Sequence, residues 1–225
     1  MPLPSQLRLE PRKSPVQARS AASVDAILEA TIQVLLSVGK ERLTTTRVAM
    51  RAGVSVGTLY QYFPNKSALL QAVLKRHLDE VAVAVEQVCR EQKGNSLRQM
   101  APAIITAVLN AKMKDAKASA ALFAISSDVD GATMARRVRV RINKAIVALL
   151  AGAREPLNKD PQTVASMLQG VMSGVIHRVL ESSAPEKQLD TLREELIFVV
   201  SGYLEACTAR DRVAAFADIS SPKGS

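Results

Sequence analysis

From Ser20 onward the apolar residues of this chain recur at steps of three and four. Val24, Ile27, Leu28, Leu35 and Val38 lay one apolar stripe along a helix face, and Gly39 stands where that helix must end. Further breaks fall at Gly94-Asn95-Ser96, at about Lys114–Ala116, at Asp128–Gly131, at Glu155–Asp160 and at Ser183–Pro185. They leave helices near 67–92, 97–113, 117–127, 132–153, 161–182 and 186–209, and three short helices before them bring the number to about nine. No stretch sustains the two-residue alternation of a strand. The nearest, Arg137-Val138-Arg139-Val140-Arg141-Ile142, is flanked by helix-forming Ala, Met and Leu and reads as the basic face of a helix. The expected fold class is all-α.

Composition narrows what such a chain can do. Of 225 residues, 48% are apolar and 23% charged, which suffices for a buried core. Aromatics are 3% with no Trp, which argues against a surface that stacks successive bases or sugar rings. The net charge of +9 suits either an anionic partner or simple charge-based solubility. It is unevenly spread. Residues 1–66 hold nine Lys/Arg against four Asp/Glu, while residues 67–225 hold 21 against 17. Residues 1–18 are Pro-rich and basic through Arg8, Arg12 and Lys13, with Glu10 the one acid, and read as a flexible arm or as a plain tail. Cys89 and Cys207 form no Cys-x-x-Cys and are expected as buried thiols. The N-terminus lacks the apolar region of a signal peptide, and no run of about 18 apolar residues occurs, so no membrane partner and a cytoplasmic location are expected.

Residues 43–66, LTTTRVAMRAGVSVGTLYQYFPNK, carry the strongest local signal. Thr44, Thr45 and Thr46 offer hydroxyls to cap a helix, and Val48, Ala49 and Ala52 give it a short apolar face. Gly53 stands where the helix stops and the chain turns through positive φ. Ser55 can cap a second helix, whose Leu59 and Phe63 are four apart and face the core with Val48. Pro64 ends it, Asn65 caps the next helix, and Lys66 stands in that helix's first turn. Helix, short Gly turn, helix is a helix-turn-helix, and the second helix presents Val56, Gly57, Thr58, Tyr60 and Gln61 on its outer face. An ordinary corner between two helices is the structural alternative.

The run from Thr44 to Leu70, T-T-T-R-V-A-x-x-A-G-V-S-x-G-T-L-Y-x-Y-F-x-x-K-x-x-L-L, resembles the N-terminal DNA-binding domain of the TetR family of transcriptional repressors. With Ile27-Leu28-Glu29-Ala30 before it, the resemblance covers about residues 18–75. It implies that Thr46, Val56, Gly57, Thr58 and Gln61 face bases or sugars and that Thr45, Ser55, Tyr60, Tyr62 and Lys66 face phosphates. By charge, Arg12, Lys13, Arg19 and Arg47 are expected as phosphate-side cations together with Lys66. Thr46 stands where some members carry a guanine-reading Arg, and Val56 is apolar, so readout would rest on methyl contacts to thymine and on Gln61. Four segments are expected: from composition and pattern a basic arm 1–18 and a loose tail 211–225, and with the resemblance a DNA-binding domain 19–66 with its helix-turn-helix at about 44–63 and a ligand-binding and dimerisation domain 67–210. The partners implied are a palindromic double-stranded operator, a small-molecule effector and a second copy of the chain.

Rival motifs are weaker. Gly53-Val54-Ser55-Val56-Gly57 fits G-x-S-x-G, but that nucleophile elbow needs a strand before it, and residues 46–52 are helix-like. No catalytic residue is therefore assigned. His77-x-Asp79-Glu80 has metal-ligand chemistry but fits a solvated helix face better, and no metal or cofactor is expected. Arg136, Arg137, Arg139, Arg141 and Lys144 form a basic run that suits a solvated face or an anionic partner.

The larger half is Ala-, Val- and Leu-rich with scattered Met. A cavity there would be aliphatic and suit a neutral lipophilic effector, with Met113, Phe123, Met134, Met167 and His177 as candidate lining residues. Gly170, Ser173 and Gly174 on one helix, and Gly202 with Ala206 on the next, suggest close approach of another helix, from a second copy or from the same chain. Leu192, Leu196, Val199 and Tyr203 complete the expected dimer face. The expected function is a ligand-responsive repressor released from its operator by a small apolar effector. The alternative is a helical adaptor without specific DNA recognition.

Overall fold

The computed structural model describes residues 18–182 and 185–208. The expected arm and tail, with Arg8, Arg12 and Lys13, lie outside the described residues, as does the side chain of Arg19. Nine α-helices are described: α1 Ala18–Arg42, α2 Thr45–Ala52, α3 Val56–Tyr62, α4 Lys66–Glu91, α5 Leu97–Met113, α6 Ala116–Ala124, α7 Gly131–Ala151, α8 Pro161–Glu181 and α9 Pro185–Ala206. Among the described residues there is no strand. The all-α expectation holds.

The helices form two compact units. Among the described residues, the first comprises those up to Glu80 together with Asp115–Arg137, and the second Val81–Lys114 together with those from Val138 onward. The boundary read at Lys66 therefore falls in the first turn of α4, inside the first unit.

Local chemistry sets the helix ends of the first unit. Thr44 Oγ1 accepts the Arg47 N–H at 3.2 Å and starts α2. Gly53 ends it at φ 68°, a left-handed conformation that costs glycine no strain, and its N–H donates to Ala49 and Met50 carbonyls. Ser55 Oγ accepts the Thr58 N–H at 3.0 Å and starts α3. Asn65 Oδ1 accepts the Ala68 N–H at 2.8 Å in the first turn of α4. With those ends fixed, Val48, Leu59 and Phe63 meet Ile27, Leu43, Leu69 and Val73 in one buried cluster. The helix α1 breaks at Gly39, as expected.

Leu122, Ile125 and Val129, from α6 and the turn after it, complete that same core. The sequence pattern predicts one helix over 117–127. Instead α6 stops at Ala124, and Ser126–Asp128 tightens into a single 3₁₀ turn. The start of α7 explains the tightening: a Cβ built on Gly131 would lie 2.5 Å from the Ser126 carbonyl oxygen, so only a glycine lets the turn fold this closely. Two bonds tie the turn down. Lys40 Nζ lies 2.6 Å from Asp128 Oδ2, and Gln71 Nε2 donates to the Val129 carbonyl at 3.4 Å. The hydrogen bond to Asp128 also raises the Lys40 pKa above its ordinary value.

The second unit packs α5 and α8 against α9 over a core that includes Met100, Ile105, Leu109, Ile146, Leu149, Val164, Leu168, Leu196 and Leu204. Asp160 caps α8: the Thr163 hydroxyl donates to it at 2.9 Å, and the Gln162 and Thr163 N–H groups donate as well, which together hold its carboxyl below the usual range. Cys89 and Cys207 are separate buried thiols, and burial pushes the Cys89 thiol up to about 11, leaving it a neutral packing group. Ser20–Arg42 is long and apolar enough to cross a membrane by length and composition, but Ile27, Leu28, Val34 and Leu35 on it are core residues of the first unit.

The Gly131 contact is directly testable. Gly131→Ala puts a methyl against backbone that cannot swing aside and is expected to cost about 1–3 kcal/mol, read as a lower urea midpoint at unchanged slope. A wild-type midpoint would mean that the turn relaxes freely.

Candidate nucleic-acid interface

The outer surface of α2 and α3 is built from short polar side chains on a rigid hydrophobic base. Leu59 and Phe63 are buried and hold α3 against α1, α2 and α4. What remains outward is Thr46, Arg47, Ser55, Gly57, Tyr60 and Gln61, all exposed, with Thr45 and Thr58 half-buried. No Asp or Glu occurs between Leu43 and Lys66. The surface is thus free of the like-charge repulsion that would keep a phosphate away.

Hydrogen bonds preset several of these groups. The hydroxyls of Thr45 and Tyr60 lie 3.0 Å apart and join the start of α2 to α3. Ser55 Oγ lies 2.9 Å from Thr58 Oγ1. With its hydroxyl held there, Thr58 has its methyl left for a base. A Cβ on Gly57 would meet only Ser55 Oγ, at 3.7 Å, so nothing within the chain demands glycine there. A bare backbone at the start of a helix does allow close approach of a nucleic-acid strand.

The structure refines four of the sequence-read positions. Val56 and Tyr62 are partly buried against the hydrophobic cluster, and the Tyr62 ring lies 6.5 Å from that of Phe63. Lys66 Nζ donates to the Lys40 carbonyl at 2.7 Å, so this ammonium also satisfies a carbonyl just past the break in α1. Arg47 Nη1 donates to the Arg42 carbonyl at 2.6 Å, and Arg51 Nε donates to Gln33 Oε1 at 2.6 Å. Arg51 and the exposed Met50 belong to the same surface and were not singled out from sequence. Their spacing of three and four from Arg47 was the available signal.

The G-x-S-x-G match occupies the turn between α2 and α3, with a helix before it where the nucleophile elbow needs a strand. His77 Nε2 lies 3.2 Å from Ser119 Oγ, and Asp79 pairs with Lys75 at 2.8 Å. Among the described residues no cluster of three or more His, Cys, Asp or Glu could hold a metal.

Two family descriptions match this chain. Residues 27–73 match "Bacterial regulatory proteins, tetR family", and residues 96–204 match "Tetracyclin repressor-like, C-terminal domain". The chain belongs to the TetR family. It is a ligand-responsive DNA-binding transcriptional regulator, and the reading as an adaptor without DNA recognition is not favoured. Among curated relatives, the nucleoid occlusion factor SlmA of Photobacterium profundum is 23% identical over 71% of this chain and 84% of its own length. The transcriptional repressor KstR of Mycolicibacterium smegmatis is 44% identical, over 24% of this chain and 27% of its own length. Among solved structures, a TetR-family regulator of Mesorhizobium loti superposes with a TM-score of 0.68 at 19% identity, covering 86% of this chain and 100% of that one. The Stenotrophomonas maltophilia repressor SmeT gives 0.61 at 20% identity, covering 86% and 94%. At these identities the solved structures share the fold with this TetR-family chain.

The expected effector residues divide between the two units. Phe123 and Met134 lie in the first; Met113, Met167 and His177 lie in the second. Phe123 and Met167 are exposed, and His177 Nε2 sits 3.1 Å from Glu181 on the α8 surface. Of the expected dimer residues, Gly170, Ser173, Gly174, Val199 and Gly202 are exposed, and Leu192 and Tyr203 are half-buried. Leu196 is a correction: it is buried in the chain's own core and has no surface left for a partner. Sequence reading missed Phe198, which is 76% exposed beside Val199.

Gln61 is exposed on α3 and can contact adenine through two hydrogen bonds. Gln61→Ala is expected to cost about 1–3 kcal/mol at one base pair per half-site, measured by binding to a set of single-base operator variants. A uniform loss across the set would place Gln61 on the phosphates. Lys66→Ala is expected to weaken all sequences alike and also to lower the melting temperature, because the Lys40 carbonyl loses its short ammonium donor and keeps only the 3.4 Å bond from the Leu43 N–H.

Proposed function

We propose that this regulator acts as a homodimeric repressor that is released from a palindromic operator by a neutral, lipophilic effector. The observation that carries the dimer is the outer face of α8 and α9. Met167, Gly170, Gly174 and His177 follow one another at steps of three and four along α8, and on α9 Gly202 lies four residues after Phe198 and three after Val199. Met167 is 52%, Phe198 76% and Val199 49% exposed, large apolar groups on two adjacent helices. A Cβ on Gly170, Gly174 or Gly202 would meet nothing within 4 Å in the single chain. Packing within one subunit therefore gives no reason for these glycines, which each cost about 1 kcal/mol against Ala in a helix. Close approach of helices from a second copy does give one.

A dimer carries two α3 helices, one for each half-site of a palindrome. Operator contact needs their separation to match half-sites about 34 Å apart or a multiple of that. An effector that favours another separation releases the DNA, and one that binds both states equally does not. An apolar effector suits the second unit, whose described aromatics are Phe198 and Tyr203 and whose core is aliphatic. Met113, half-buried at the end of α5, is the expected lining residue that best keeps that role there. The cytoplasm is the proposed site of action, and no catalytic step is assigned.

Sedimentation and DNA binding together test the dimer. Phe198→Glu and Gly174→Leu, both at exposed positions, are expected to give folded monomers whose affinity for a two-half-site operator falls at least about tenfold, because one half-site is lost. A mutant that stays dimeric, or a monomeric wild type, would remove the basis for this reading.

A further inference from the structure

We propose that residues 138–142 of α7 are a gate to the aliphatic core of the second unit, a strap held shut by side-chain hydrogen bonds that opens to admit the effector. The inference rests on the reading of a neutral, lipophilic effector and adds its route of entry. All the residues concerned belong to the second unit.

The part of α7 that lies in this unit divides at Asn143. Beyond it, Ile146, Leu149 and Leu150 are buried and anchor the helix to the core. Before it, none of residues 138–142 is buried. Val138, Arg141 and Ile142 are half-buried, Arg139 is exposed, and Val140 is 67% exposed. Burial of large apolar groups is what makes a helical segment costly to detach, and this stretch contributes no buried side chain.

Polar side chains hold the stretch down instead. Glu86 of α4 takes the Arg141 guanidinium through two bonds, Nε–Oε1 at 2.5 Å and Nη2–Oε2 at 2.7 Å. From α8, Gln169 Nε2 donates to the Arg139 carbonyl at 3.1 Å. At the dividing point, Asn143 Oδ1 accepts Gln162 Nε2 at 2.7 Å, while Asn143 Nδ2 reaches Ser166 Oγ and Gln169 Oε1 only at 3.4 and 3.5 Å. The last two are long for hydrogen bonds. Arg141 and Asn143 stand about 200° apart around the helix, so the strap is fastened on two sides.

Fastenings of this kind exchange for water, and apolar packing does not. Arg141 and Glu86 both keep some contact with solvent, so their bonds are replaced by water bonds when the strap lifts. A segment with such bonds and no buried side chain opens locally at far lower free energy than its unit unfolds. What lies beside the fastenings is aliphatic. Val85 and Leu168, the residues before Glu86 and Gln169, are 0% and 2% exposed. Lifting the strap therefore shows apolar surface to a lipophilic molecule, and rebonding covers that molecule once it is inside. Asn143 keeps the strap weak, because a buried amide with one short bond and two long ones anchors less well than an apolar side chain of its size.

The test combines hydrogen–deuterium exchange of the full-length protein with stopped-flow uptake of Nile red, a neutral lipophilic probe. In the wild type, residues 138–142 are expected to exchange at least about tenfold faster than α5. Glu86→Gln should speed exchange in that stretch about three- to tenfold and leave α5 unchanged. It should raise the Nile red association and dissociation rates by the same factor, at unchanged Kd. Asn143→Leu should do the reverse and slow both exchange in the strap and dye entry. Circular dichroism melts verify that the variants fold. Exchange in the strap no faster than in α5, or equal acceleration of every helix in Glu86→Gln, would overturn the proposal. Dye rates that ignore both substitutions would overturn it too, while leaving the effector reading in place. Absence of any Nile red binding would overturn the effector reading and the gate with it.

Discussion

The burial of Val48, Leu59 and Phe63 in one core is the constraint on which the rest of the DNA-binding unit depends. These three buried side chains set the angle between α2 and α3, and the left-handed Gly53 lets the chain make that angle within a short turn. Everything polar on the outer surface inherits its position from them. The Thr45–Tyr60 hydroxyl pair and the Ser55–Thr58 pair then reduce the rotamer freedom that binding would otherwise have to remove. Recognition is thus prepared by packing from below and by short hydrogen bonds from the side.

The same core reaches into a part of the chain far away in sequence. Leu122, Ile125 and Val129 belong to it, and the Lys40–Asp128 pair and the Gln71–Val129 bond hold the turn that carries them. A displacement of α6 would therefore be felt at the end of α1 and in α4, within the first unit. Lys40 and Asp128 are both partly exposed, so their pair contributes little by itself, and the buried Leu122, Ile125 and Val129 do most of the joining.

Much of this was legible in the sequence because it is local. Thr44, Gly53, Ser55 and Asn65 act within three or four residues of themselves, and Leu59 and Phe63 declare their common face by their spacing. What spacing does not reveal is a partner distant in the chain. Lys66 reads as a phosphate contact, yet its ammonium reaches the Lys40 carbonyl, 26 positions away. Arg141 reads as one of five equal cations, yet Glu86 takes it out of the row. The early end of α6 depends on how Gly131 meets Ser126. On α9, two apolar stripes lie side by side, and periodicity does not say which faces inward. Leu196 and Val200 are buried, while Phe198 and Val199 are exposed. The effector residues are the least legible, because a lining depends on side chains from several helices at once.

The central claim is that α3, held on its hydrophobic base, reads a specific DNA sequence. Selection of bound fragments from a genomic library with the purified protein, followed by footprinting, tests it most directly. The account predicts that the recovered fragments share an inverted repeat whose half-sites lie on one face of the duplex, protected as a pair. Fragments with no shared sequence, held only by a salt-sensitive attraction to phosphates, would contradict it.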